Sequence, residues 1–136
     1  MERQTEILVP IMFYDTDCGG VVSNIAYLRF VEQARTALVT VLGVSLSDIV
    51  QVQEFPAVLR TEIDYKKPAV LGDTVRVEAQ LEEVKRARFW CGFTLLRDSD
   101  GTLLARCRQQ CAFIRLPEGL PVPVPAAWRT SESSTL

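Results

Sequence analysis

Asn24-Ile25-Ala26-Tyr27-Leu28-Arg29-Phe30-Val31-Glu32-Gln33-Ala34-Arg35-Thr36-Ala37-Leu38-Val39-Thr40-Val41-Leu42 decides the fold. Tyr27, Phe30, Val31, Ala34, Leu38, Val41 and Leu42 recur at three- and four-residue steps, and Arg29, Gln33, Thr36 and Thr40 take the other side. That period predicts one long amphipathic helix, with Gly43 as its C-terminal stop. Glu32 and Arg35 flank the apolar stripe and read as an i,i+3 surface pair.

Outward from the helix the period changes from 3.6 to 2. Before it, Ile7 to Phe13 reads as a strand with Ile7, Val9, Ile11 and Phe13 on one face. After it, Ser45 to Pro56 is a connection with a short helical turn at Leu46 to Val50. Four further strands are then predicted over Ala57 to Lys66, Thr74 to Lys85, Arg88 to Arg97 and Thr102 to Leu116. Within them Val75, Val77, Ala79 and Leu81 alternate against charged neighbours. Phe89, Cys91, Phe93 and Leu95 share one phase, as do Leu103, Ala105, Cys107, Cys111 and Phe113. Asp98-Ser99-Asp100-Gly101 is a hairpin turn. One helix cannot build a core alone, whereas a five-stranded antiparallel sheet wrapped around it can. The predicted class is α+β. The other side of that sheet must meet solvent or another subunit, and Trp90, out of phase with Phe89 and Cys91, hints at a second packed surface and an oligomer. Residues 1–117 read as the domain, and 118–136, rich in Pro and then in Ser and Thr, as an extended tail that frays.

Just before the helix stands Tyr14-Asp15-Thr16-Asp17-Cys18-Gly19-Gly20-Val21-Val22. Two carboxylates precede a Gly pair and a helix start, where free backbone N–H groups and a partial positive charge are available. A thioester or ester carbonyl there would be polarised, with Asp17 placed to attack it or to activate water. Capping and turn chemistry accounts for the same spacing, and both readings stand on the pattern alone. The 136-residue chain has no histidine. That removes Ser-His-Asp and Cys-His pairs and any His base or His zinc site. Cys18, within the segment, is a second candidate nucleophile with only the helix start to lower its pKa. Cys91, Cys107 and Cys111 fall on inward strand positions and read as small core residues; no CxxC pair exists.

The balance of 15 basic against 17 acidic residues gives no electrostatic ground for binding nucleic acid. No apolar stretch reaches the roughly 18 residues of a membrane span, and Met1 to Glu6 carries charges of both signs with no apolar signal region behind it. The expected location is cytoplasmic, with no membrane partner.

Tyr14, Asp15, Thr16, Asp17, Gly20, Val21, Val22, Asn24 and Tyr27, then Glu32-Gln33-Ala34-Arg35, Asp64-Tyr65, Pro68-Ala69, Gly72-Asp73 and Asp100-Gly101, carry a family likeness. Over residues 5 to 116 the chain resembles the hotdog-fold acyl-CoA thioesterases of the 4-hydroxybenzoyl-CoA thioesterase family. The resemblance implies the hotdog fold, hydrolysis of an acyl-CoA thioester, and no metal or redox cofactor. It implies that Asp17 is the catalytic carboxylate, as nucleophile or general base. The Asn24 backbone N–H would hold the thioester oxygen, with Tyr14 as a further catalytic residue and Gly20 and Val21 against the substrate. It implies an active site between two protomers, hence a dimer or tetramer, with CoA phosphates meeting Lys85, Arg86 and Arg88. Many relatives carry His or an aromatic residue where this chain has Asn24; a backbone N–H contact survives that change. Two other activities fit the same likeness: a thioesterase acting on acyl groups of an acyl carrier protein, and a non-catalytic acyl-binding or assembly subunit. A hydratase or dehydratase on this fold typically needs a catalytic His.

Overall fold

The computed structural model describes residues 2–133. The element order is β1 (Gln4–Pro10), a 3-10 turn (Phe13–Asp15), α1 (Asn24–Val41), α2 (Leu46–Val52), β2 (Glu54–Tyr65), β3 (Thr74–Val84), β4 (Arg88–Arg97), β5 (Leu103–Arg115), β6 (Leu120–Val122) and α3 (Ala126–Ser133). The sheet is antiparallel in the order β1-β3-β4-β5-β2, with β6 added on β5. The five expected strands are present, and a short sixth joins them. Consecutive strands β3, β4 and β5 pair as hairpins, while β2 lies at the far edge from β1. The chain must therefore cross the sheet between β1 and β2, and α1 makes that crossing.

α1 begins at Ser23, whose hydroxyl accepts from the Ala26 N–H, a side-chain cap on an otherwise unpaired donor. Its buried face is Ala26, Tyr27, Phe30, Val31, Ala34, Arg35, Leu38 and Val39. The expected stripe is there with two corrections. Val41 is exposed and Val39 is buried in its place. The expected i,i+3 pair of Glu32 and Arg35 is present at 3.6 Å, but Arg35 is 9% exposed and turned inward. Inward residues of the sheet meet this stripe: Val75, Val77, Ala79 and Leu81 of β3, Phe89, Cys91, Phe93 and Leu95 of β4, and Ala105, Cys107, Cys111 and Phe113 of β5 are all buried. Leu104 is buried beside Ala105 where the β4–β5 register shifts, an irregularity that strict alternation does not foresee. Each fully buried Leu, Val or Phe contributes about 1.5–3 kcal/mol. Phe13, expected in phase with Val9 and Ile11, sits in the 3-10 turn and is 80% exposed.

The outer face of the sheet is polar. Trp90 lies under the Arg108 guanidinium, 4.2 Å from ring centroid to Cζ, and Arg108 Nε donates to Glu82 at 3.0 Å. The Glu82 carboxylate crosses β4 where Gly92 has no side chain; a Cβ at position 92 would collide with it.

The C-terminal segment does not fray as an extended tail. β6 pairs with β5, and Trp128 on α3 is fully buried. Its ring stands edge-on to Phe89 with centroids 5.1 Å apart and lies 5.5 Å from Phe113. Its indole N–H donates to the Leu42 carbonyl at 3.0 Å, closing the core where α1 ends. Residues 134–136, the end of the expected tail, lie outside the described residues.

Burial pushes the three core thiols up from 9.0, Cys107 to about 12 and Cys111 to about 11, and Cys91 further still. The nearby Arg35 cation opposes the shift in each case. The folded state thus holds protons that the unfolded chain releases above pH 9, so this contribution to stability is full below pH 9 and falls as pH rises toward 12. The urea midpoint should drop steeply above pH 9. At pH 8, one thiol per chain, the exposed Cys18, should react quickly with a disulfide reagent, the other three only after unfolding. Rapid reaction of more than one native thiol would contradict the assigned burial.

Candidate active site

Between β1 and α1 the chain folds into a loop held mainly by its own backbone. Asp15 is 3% exposed. Its carboxylate accepts from the Met12 N–H at 2.9 Å and from Arg29 at 3.2 Å, and its carbonyl accepts from the Ser23 N–H at 2.8 Å. It joins the start of the loop to the start of the helix. Arg29, in the second turn of α1, is the partner that sequence spacing did not reveal.

Asp17 faces solvent at the tip of the same loop. Its N–H donates to Val21 O at 2.9 Å, and its carbonyl accepts from Gly20 N at 3.1 Å. One carboxylate oxygen, Oδ1, accepts from Gly19 N at 2.8 Å; Oδ2 has no hydrogen-bond partner among the described residues. Gly20 has φ 80°, a left-handed conformation that glycine adopts without Cβ strain. The turn fixes Asp17 by one oxygen and leaves the other available. The capping and turn reading of the sequence is thus divided: Ser23 caps the helix, Asp15 ties the loop, and Asp17 closes the turn through Gly19 N with its second oxygen facing solvent.

The helix start beside it is braced from the opposite side. Val22 N donates to Ala69 O at 2.9 Å. Ala69 N donates to the Tyr27 hydroxyl at 2.9 Å, and the Tyr65 hydroxyl donates to the Asn24 carbonyl at 3.1 Å. The two tyrosine rings meet edge-on at 5.4 Å. Burial raises both phenols above their ordinary value. Arg97 locks the segment behind them, donating to Asp73 at 3.2 Å, while Asp73 accepts from Val70 N at 3.0 Å. The Gly72-Asp73 and Pro68-Ala69 signals are therefore supports. Asn24 occupies the first helical position, where a backbone N–H has no intrahelical acceptor. A carbonyl oxygen placed there meets a free donor and the positive end of the helix dipole.

The loop brings Asp17, Gly20, Val21 and the Asn24 N–H into one segment. Tyr14 is nearby in sequence on the 3-10 turn and is 77% exposed. Lys85, Arg86 and Arg88 are not part of this cluster within one protomer. β1 ends where Pro10 pairs with Thr74, whereas the basic hairpin follows Val84 at the other end of β3. At about 3.3 Å per residue the two sites are some 30 Å apart. Alternation and turn signals locate the hairpin in the sequence but do not reveal which end of the sheet it occupies.

An antiparallel sheet with one long helix across it is the hotdog arrangement. A family model of the thioesterase-like superfamily matches residues 11–130, and the chain belongs to that superfamily. It is 33% identical over 118 residues to an acyl-CoA thioesterase of Haemophilus influenzae, covering 86% of this chain and 85% of that protein. It is 30% identical over 118 residues to a 1,4-dihydroxy-2-naphthoyl-CoA hydrolase of Synechocystis, covering 86% of each. The crystal structure of a 1,4-dihydroxy-2-naphthoyl-CoA thioesterase from Synechocystis superimposes with a TM-score of 0.83 at 26% identity, covering 93% of both chains. The chain is a thioester hydrolase of the hotdog fold.

Proposed function

We propose that this chain hydrolyses acyl-CoA thioesters at the Asp17 loop. The observation that carries the reading is the Oδ2 of Asp17, without a partner among the described residues, on a backbone-fixed turn next to a helix start whose Asn24 N–H likewise has none among them. The thioester oxygen rests on the Asn24 N–H, which lowers the cost of the charge that develops there. Asp17 then attacks the carbonyl carbon, giving a mixed anhydride that water cleaves, or removes a proton from the attacking water. Gly20 and Val21 line the approach, and Tyr14 stands at its rim. The thiolate of CoA leaves without needing a strong acid, consistent with a chain that has no histidine. The test is thiol release from a panel of aliphatic and aromatic acyl-CoA and acyl-carrier substrates. Turnover of acyl-CoA supports the proposal; turnover of carrier-bound acyl groups alone would move the activity to a carrier protein.

The functional unit in this proposal is a homodimer, or a tetramer built from it. β2 is a 12-residue edge strand with Val58 42% and Leu59 48% exposed, and an uncovered edge of this length invites pairing. A second copy related by a two-fold axis through the β2 edges runs antiparallel, so its basic hairpin comes to the end where Asp17 lies. Lys85, Arg86 and Arg88 of that copy would then serve the CoA phosphates. Replacing Arg86 and Arg88 by Ala should raise KM for acyl-CoA and flatten its salt dependence with little change in kcat, while sedimentation reports a dimer or larger. A monomer at micromolar concentration, or an unchanged KM, would contradict this arrangement.

A further inference from the structure

Tyr65 is the last residue of β2 and reaches across to the first residue of α1. Its hydroxyl donates to the Asn24 carbonyl at 3.1 Å, joining residues 41 positions apart in the chain. Neither partner needs the bond in order to be satisfied. Within α1 the Asn24 carbonyl also accepts from the N–H four residues on, that of Leu28. Tyr65 is 43% exposed, so water would serve its hydroxyl. A hydrogen bond whose loss leaves no buried group unpaired contributes little to folding. What this one supplies is a fixed position.

Tyr27 provides the contrast. It is buried, and its hydroxyl accepts from the N–H of Ala69, which is buried too. Loss of that hydroxyl would strand a donor inside the protein. The Tyr27 ring also holds Tyr65 in place, edge-on with centroids 5.4 Å apart. Asn24 is therefore gripped at its carbonyl by a side chain that cannot swing freely. The residue before it, Ser23, is tied by its own N–H to the Asp15 carbonyl at 2.8 Å. The peptide between Ser23 and Asn24 carries the Asn24 N–H. With both flanks held, that N–H keeps one direction.

We infer that Tyr65 is a positioning residue for the reaction: its hydroxyl holds the start of α1 so that the Asn24 N–H stays aimed at the thioester oxygen as charge develops there. The inference rests on the proposed thioester hydrolysis at the Asp17 loop. Tyr65 acts through Asn24 and touches no reacting atom. A donor aligned in advance favours the transition state over the bound substrate. The hydroxyl should therefore act on kcat and leave KM alone.

Tyr65→Phe removes one oxygen and keeps the ring against Tyr27. The first readout is thiol release by the full chain from the acyl-CoA that the wild type turns over fastest. Tyr65→Phe should lower kcat about three- to tenfold and change KM less than about twofold, with the urea midpoint unchanged. Tyr27→Phe should instead lower the urea midpoint. Wild-type kcat in Tyr65→Phe, or a loss of kcat that comes with a raised KM or a lowered urea midpoint, would overturn the inference. The second readout is the infrared band of the same thioester carbonyl, labelled with carbon-13 and bound to the slow Asp17→Asn chain. A donor aimed at the oxygen polarises the carbonyl and moves its band to lower frequency than in free acyl-CoA. Adding Tyr65→Phe should move the band part of the way back. A shifted band that Tyr65→Phe leaves in place defeats this inference alone. No shift on binding to Asp17→Asn defeats the proposed placement of the thioester at the helix start, and this inference with it.

Discussion

Asp17→Asn is expected to lower kcat for acyl-CoA hydrolysis at least about a hundredfold, the low end for a positioned acid–base group. The substitution keeps the side-chain shape, and an amide oxygen can still accept from Gly19 N, the one hydrogen bond that the carboxylate makes. The turn that holds it is backbone–backbone, through Val21 and Gly20, and does not depend on charge. The helix start keeps its cap and its brace from Tyr65, so substrate should still bind and KM should move little. Only the nucleophile, or the base, is gone. Circular dichroism should be unchanged. Asp15→Asn behaves differently, because Asp15 is buried and bonded to Met12 and Arg29. It should lower the urea midpoint, by about 1–2 kcal/mol in stability, and reduce kcat less. Near-wild-type turnover in Asp17→Asn would refute the assignment and turn attention to Glu32 or Cys18. Equal losses of turnover in both variants would mean that the two carboxylates act as one unit.

Trp128→Ala carries the largest expected effect on stability, about 3–5 kcal/mol. Trp128 is 0% exposed, packs edge-on against Phe89 and at a tilt against Phe113, and gives its indole N–H to the Leu42 carbonyl. Removing it opens a cavity at the end of the core and leaves the Leu42 carbonyl without that donor. A loss of this size should lower Tm by about 10–20 °C. Trp128→Phe, which keeps an aromatic ring but not the hydrogen bond, should lose less. A change below about 1 kcal/mol in Trp128→Ala, read from urea denaturation, would show that the C-terminal segment is dispensable to the core.

That segment is also where the sequence was hardest to read. Pro121, Pro123 and Pro125 speak against a central strand, and the Ser/Thr-rich end reads as solvated. Yet Val122 and Val124 are buried, because a short edge strand tolerates proline on its open side. Trp128 was the available signal: a large aromatic in an otherwise polar tail. The helix and the five main strands were legible because each buries one face, and burial leaves a period. The period identifies a face without fixing its borders, so it places Val41 on the stripe where the structure buries Val39. It also ranks residues by polarity, which hid Arg35, a charged residue placed inward by Gln109 on a distant strand. At the site, the Asp17 loop and helix start were legible as a motif, since capping and turn chemistry are local. A supporting role for Asp15 beside Asp17 could be expected from the motif; the groups that hold Asp15 could not, because Arg29 and Ser23 fold back over it from the helix. Nor was the distance between Asp17 and the Lys85–Arg88 hairpin, which follows from strand order and not from composition.

The most direct test of the account is a crystal structure with an acyl-CoA analogue in which a methylene replaces the thioester sulfur. The account predicts the ketone oxygen about 2.7–3.1 Å from the Asn24 N–H, with Asp17 Oδ2 facing the carbonyl carbon or a water between them. A carbonyl bound away from both the helix start and Asp17 would contradict it.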